Sequence, residues 1–116
     1  MDDATKGASG AGAPRALRAA SLAYAKQKSK ALGLEVRASK TGNAKIDVLR
    51  DGSVIARVGD RRYRDYAQYR ELEARGEVPR GTAAERRRLY HARHGKLTRK
   101  RDGKYTRRFL AGELLW

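Results

Sequence analysis

Apolar and polar residues alternate in one stretch of this chain. Leu34, Val36 and Ala38 are interleaved with charged or polar residues, and Lys40-Thr41-Gly42-Asn43 then reads as a turn. Two further runs, residues 45–50 and 53–58, flank Asp51-Gly52. Alternation on both sides of Asp-Gly is a strong hairpin signal, because a two-residue type I′ turn needs positive φ at both positions. Such a turn pairs Leu49 with Val54 and Val48 with Ile55. Ile46, Val48 and Ile55 would then share one face, and Leu49, Val54 and Val58 the other. Both faces are partly apolar, so the sheet is expected to be covered on one side and to lean on a helix or partner on the other.

Helical periods flank this region. Residues 15–32 are helix-favouring, with Leu17, Ala20, Tyr24 and Ala31 on a narrow stripe, Pro14 suited to the first turn and Gly33 a stop. Residues 1–13, MDDATKGASGAGA, have no period and read as a flexible arm. Beyond Gly59-Asp60, the spacing of Tyr63, Tyr66, Tyr69 and Leu72 predicts a helix over 61–75. Pro79 and the glycines at 76 and 81 break it. Thr82-Ala83-Ala84-Glu85 matches a capping box and predicts a helix to about Arg93, with Arg86, Arg87, Arg88 and Arg93 around Leu89 and Tyr90. After Gly95, residues 96–104 read as a basic loop with a second Asp-Gly pair at Asp102-Gly103. Phe109, Leu110, Leu114, Leu115 and Trp116 form an apolar tail. The expected fold is α+β: a small antiparallel hairpin or three-stranded sheet flanked by short basic helices, with a flexible N-terminal arm and an extended C-terminal tail. Its parts are the arm 1–13, a helix over 14–33, a small α+β domain over 34–95, and the loop and tail over 96–116.

Composition narrows what such a fold can do. Of 116 residues, 19 are alanine, and Leu, Ile, Val and Phe together also number 19. That is too little for a large core with a deep catalytic pocket, and it borders on the composition of disordered chains. No cysteine is present, which excludes disulfides and cysteine zinc sites and fits an intracellular setting. No apolar run reaches membrane-spanning length, and Met1-Asp2-Asp3 does not open a signal peptide.

The net charge of +15 is concentrated. Residues 86–108 hold eleven cations, Arg86, Arg87, Arg88, Arg93, Lys96, Arg99, Lys100, Arg101, Lys104, Arg107 and Arg108, against Asp102 alone. Such a segment repels itself, so a polyanionic partner is the natural inference, and a phosphate backbone is the commonest one. Roughly six to eight phosphate contacts would give a log–log salt slope of about −5 to −7. Tyr63, Tyr66, Tyr69, Tyr90 and Tyr105 interleave with arginines, which suits base stacking. The simpler reading of Tyr63, Tyr66 and Tyr69 is core area, while Tyr90 and Tyr105 fit either role. Tyr105, Phe109, Leu115 and Trp116 are candidate anchors on a partner. His91 and His94 share a helix face but lack further ligands, so no metal site is expected. No nucleophile elbow, phosphate-binding glycine loop or paired acid and base is present, so neither enzyme activity, a cofactor nor a small-molecule substrate is expected.

One arrangement resembles a known family. A hairpin leads into Val58-Gly59-Asp60-Arg61-Arg62-Tyr63-Arg64-Asp65-Tyr66, followed by Arg86-Arg87-Arg88-Leu89-Tyr90-His91-Ala92-Arg93-His94-Gly95-Lys96 and a terminal Leu115-Trp116. Over residues 45–116 this is similar to a family of short proteins of nucleocytoplasmic large DNA viruses (giant viruses) and some phages. The resemblance implies a virion-associated setting, with assembly inside the host cell, and carries no biochemical activity.

Two functional expectations follow. One is a non-enzymatic basic structural protein of a large DNA virus particle, a minor capsid or internal virion protein binding capsid proteins or genome. The other is a free-standing nucleic-acid-binding protein, with ribosomal-type RNA binding included. They differ in the C-terminal aromatics. A self-contained module packs them into its own core, whereas a particle component orders them only on its neighbours.

Overall fold

The computed structural model describes residues 15–96 and 98–116, so the expected arm and Pro14 lie outside the described residues. Helix α1 (Arg15–Ser29) runs into a 3₁₀ turn (Lys30–Leu32) that Gly33 ends. Its buried row is Leu17, Ser21, Ala25 and Ser29, an i,i+4 series, and not the expected Leu17, Ala20, Tyr24 and Ala31. Polar side chains move the stripe: Ser21 turns inward because it has a buried hydrogen-bond partner, and Ala31 is exposed.

Three antiparallel strands follow as a meander, β1 (Glu35–Ala38), β2 (Ala44–Arg50) and β3 (Ser53–Asp60), in the order β1-β2-β3. Asp51 and Gly52 take φ of 52° and 82°, the type I′ geometry that Asp-Gly favours. Leu49 pairs with Val54 as expected, but Val48 pairs with Ala56. Ile55 is the extra residue of a β-bulge and stands 44% exposed. The bulge shifts the face of every later residue, so Val58 joins Ile46 and Val48 on the core side, correcting the face assignment made from simple alternation.

That core side is completed by Val36 from β1, Ala25 from α1 and three leucines of the C-terminal helix. On the other face Arg37, Asp47 and Arg57 lie in register across the three strands. The buried Asp47 carboxylate sits 3.1 Å from Arg37 Nε and 3.3 Å from Arg57 Nε. That face carries a charge clasp.

Helix α2 (Tyr66–Ala74) begins later than the tyrosine spacing predicts, because Asp65 caps it. The Asp65 side chain accepts from Gln68 N–H, and the Gln68 side chain accepts from Asp65 N–H, a reciprocal capping box. Helix α3 (Thr82–His94) has Gly81 as its N-cap, without a side-chain cap of its own. The Thr82-Glu85 box does not form. The Thr82 hydroxyl donates to the Pro79 carbonyl, and Glu85 pairs with Arg88. Glu73, near the end of α2, supplies the missing carboxylate and accepts from Gly81 N–H and Ala83 N–H.

The C-terminal region corrects the largest expectation. The basic loop holds a hairpin, β4 (Lys100–Arg101) and β5 (Lys104–Tyr105), turning at Asp102 and Gly103 with positive φ at both. Thr106 then caps helix α4 (Arg107–Leu115), its hydroxyl accepting from Phe109 N–H at 3.1 Å. The expected extended tail is therefore helical, because Leu110, Leu114 and Leu115 fall on one side of it and enter the core. Arg107 Nε also donates to the Arg57 carbonyl on β3 at 3.1 Å.

Gly59 on β3 takes φ 81°, and a Cβ there would stand 2.6 Å from Leu115 Cδ1 and 3.0 Å from Lys45 Cβ. Gly59→Ala is expected to cost about 2–3 kcal/mol through left-handed strain and overpacking. Urea unfolding reads this as a lower midpoint, and an unchanged midpoint would mean that Leu115 has room to retreat.

Candidate nucleic-acid interface

Three elements are tied together beneath the candidate surface by one buried carboxylate. Asp65, 1% exposed, accepts from Ser21 Oγ of α1 at 2.7 Å and from Lys45 Nζ of β2 at 2.8 Å. Gln68 extends the cluster by donating to the Leu17 carbonyl at 3.4 Å. The loop entering α2 is pinned at its other end too. Asp60 accepts from Arg62 Nε at 3.0 Å, Arg62 Nη2 at 2.7 Å and Arg62 N–H at 2.9 Å. These bonds from Arg62 hold the Asp60 carboxyl down at about 2. Between the two fixed points stands Tyr63, with its N–H bonded to the Asp60 carbonyl and its residue 69% exposed. The reading of Tyr63 as core area is thus overturned, since it lies outside α2 and off the buried stripe.

Tyr66 and Tyr69 do pack inward. Tyr66 meets Tyr24 edge to face at 5.7 Å, while Arg87 and Arg70 lie over its ring at 4.7 and 5.7 Å. Arg86 lies 5.5 Å from the Tyr69 ring centre. A guanidinium stacked in this way keeps edge N–H groups for phosphate oxygens. Tyr90 is buried and sandwiched, 4.7 Å from Trp116 in near-parallel stacking and 4.1 Å from His94. Burial pushes its phenol pKa up, with Arg93 and Arg108 pulling the other way.

Of the eleven candidate cations, Arg87 is half-buried and the other ten, Arg86, Arg88, Arg93, Lys96, Arg99, Lys100, Arg101, Lys104, Arg107 and Arg108, are exposed on α3, the β4–β5 hairpin, the segments around it and the start of α4. Among the described residues, Arg88 alone of the eleven is in an ion pair, with Glu85 at 2.7 Å.

The four candidate partner anchors turn inward. Leu115 is buried in the core, and Trp116 lies on Tyr90. Tyr105 and Phe109 stack on each other at 5.4 Å against the same core, with Arg99 beside both rings. Phe109 and Leu115 are brought onto the sheet by α4 and Trp116 by its end, while Tyr105 packs from β5.

A groove of about 320 Å³ opens between the 59–65 loop, α2, α3 and Trp116. Tyr63, Tyr69, Tyr90 and Trp116 give it aromatic walls, and Arg64, Arg86 and Arg93 make it basic. That Tyr63 and Arg64 would meet Leu89 and Trp116 in one groove had no signal in the sequence, because the three segments are far apart in the chain. His94 Nδ1 lies 2.9 Å from the Tyr90 carbonyl, which occupies that histidine locally. Among the described residues there is no group of three His, Cys, Asp or Glu that could hold a metal ion, and no helix is long and apolar enough to cross a membrane.

No protein-family model, curated protein or solved structure matches this chain.

Proposed function

We propose that this chain is a non-enzymatic nucleic-acid-binding protein that grips a phosphate backbone with α3 and the β4–β5 hairpin. The observation that carries this reading is the exposure of ten of the eleven cations between 86 and 108, with a single ion pair to a described carboxylate among them. Cations held together on one surface by a folded scaffold raise the local positive potential and so attract a polyanion. Packing of Tyr105, Phe109, Leu115 and Trp116 into the chain's own fold favours a self-contained module over a tail that docks on neighbours. The resemblance over residues 45–116 adds a setting, the particle of a large DNA virus, where packaged genome is the polyanion.

The test is anisotropy binding to labelled nucleic acid between about 50 and 300 mM salt. Replacing Arg93, Arg101 and Lys104 together by alanine should weaken binding and flatten the log–log salt slope by about 2–3, near 0.9 for each lost phosphate contact. Binding that disappears by about 150 mM salt and is equal for heparin would reduce the surface to generic attraction and overturn the reading.

A further inference from the structure

We propose that the groove beside Tyr63 is a base-stacking subsite that makes this protein prefer single-stranded over duplex nucleic acid. This deepens the reading above and rests on it.

Three observations converge there. First, Tyr63 is the one tyrosine of the 63–69 series with no ring partner among the described residues, and it is 69% exposed. Second, its loop is fixed before any ligand arrives. Asp60 clamps Arg62 and the Tyr63 backbone on one side, and Asp65 is locked to Lys45 and Ser21 on the other. A platform held in place loses little entropy on binding. Third, Arg64, Arg86 and Arg93 line the same groove, so phosphates flanking a stacked base would meet cations. The carboxylates beneath are already engaged, Asp65 by Lys45 and Asp60 by Arg62, so the electrostatic balance of the groove favours an anion.

The groove, of about 320 Å³, has room for a single base. Bases of a duplex already stack on each other, so the Tyr63 face is useful only to an unstacked base, and stacking of this kind is tolerant of sequence. Leu89, exposed at the rim of the groove, gives the base a second apolar edge.

The experiment compares labelled oligothymidylate, oligouridylate and a duplex of the same length, each against the intact chain, Tyr63→Ala and Tyr63→Phe. The expected result is tighter binding of the single strands. Tyr63→Ala should lose roughly 5- to 100-fold on them, with little change on the duplex, and Tyr63→Phe should keep most of the affinity. The salt slope should be unaltered by either change, since no phosphate contact is removed. Trp116, the only tryptophan, lines the groove and should change its fluorescence as single strands bind. A difference between the thymidylate and uridylate arms assigns the strand to DNA or RNA. Binding of all three nucleic acids with Tyr63→Ala unchanged would overturn the subsite and leave the phosphate-binding surface standing. No binding above that of heparin would overturn that surface and the subsite with it.

Discussion

Asp65→Ala is expected to lower the stability of the fold by about 3–5 kcal/mol, the cost of leaving one member of a buried ion pair behind. The Lys45 side chain that faces Asp65 is only 8% exposed, so its ammonium has no easy route to water. Ser21 Oγ loses its acceptor at the same time, and α2 loses the cap that starts it. For a small domain whose whole stability is about 5–15 kcal/mol, this is enough to unfold a large fraction of molecules. Equilibrium urea unfolding followed by circular dichroism measures it. A second variant separates stranded charge from lost packing. Lys45→Met combined with Asp65→Asn removes both charges and keeps both shapes, so its loss should be well below the sum of the two single losses. A loss under about 1 kcal/mol for Asp65→Ala would mean that Lys45 reaches solvent, and the hub would then not be what holds α1, β2 and α2 together.

Leu114→Ala is expected to cost about 3–4 kcal/mol, within the range for a buried leucine whose surroundings cannot fully collapse. The residue is 0% exposed and lies among Ala25, Val48 and Val58 of the central cluster. On an extended, solvent-borne tail the same change would stay within about 0.5 kcal/mol, so the measurement discriminates sharply between the two arrangements. The size of the loss also reports how far the fold depends on its last helix. With so few large aliphatic residues, α4 supplies three of the nine members of the main cluster, and no other element can replace them.

Turn chemistry made parts of this fold legible in advance. Asp51-Gly52 announced a hairpin because only a few dipeptides accept positive φ twice, and the structure has it. The bulge at Ile55 was invisible, since counting in twos assumes that no residue is left over. The start of α2 was misplaced because a tyrosine every third position continues smoothly backwards past Asp65, whereas the carboxylate of Asp65 fixes the boundary. The Thr82-Glu85 pattern failed for a nonlocal reason, as Glu73 from another helix already holds the first amides of α3. The final helix is only nine residues long, too short to be stable alone, and forms because a sheet lies beneath it. The candidate cations could be found by charge alone. The groove could not, because Tyr63, Leu89 and Trp116 are far apart in the chain and meet only after α2, α3 and α4 have packed.

The bulge and the Arg107 contact also bear on how copies of this chain behave when crowded. Strand β3 lies at the edge of its sheet, the place where a neighbouring molecule can add a strand and begin a fibre. Ile55 in the open would invite such growth. The bulge twists the edge at that point, the Arg107 guanidinium occupies the Arg57 carbonyl, and the Arg57 side chain carries charge across the face. This edge of the sheet is thereby made a poor template for a strand from a second copy.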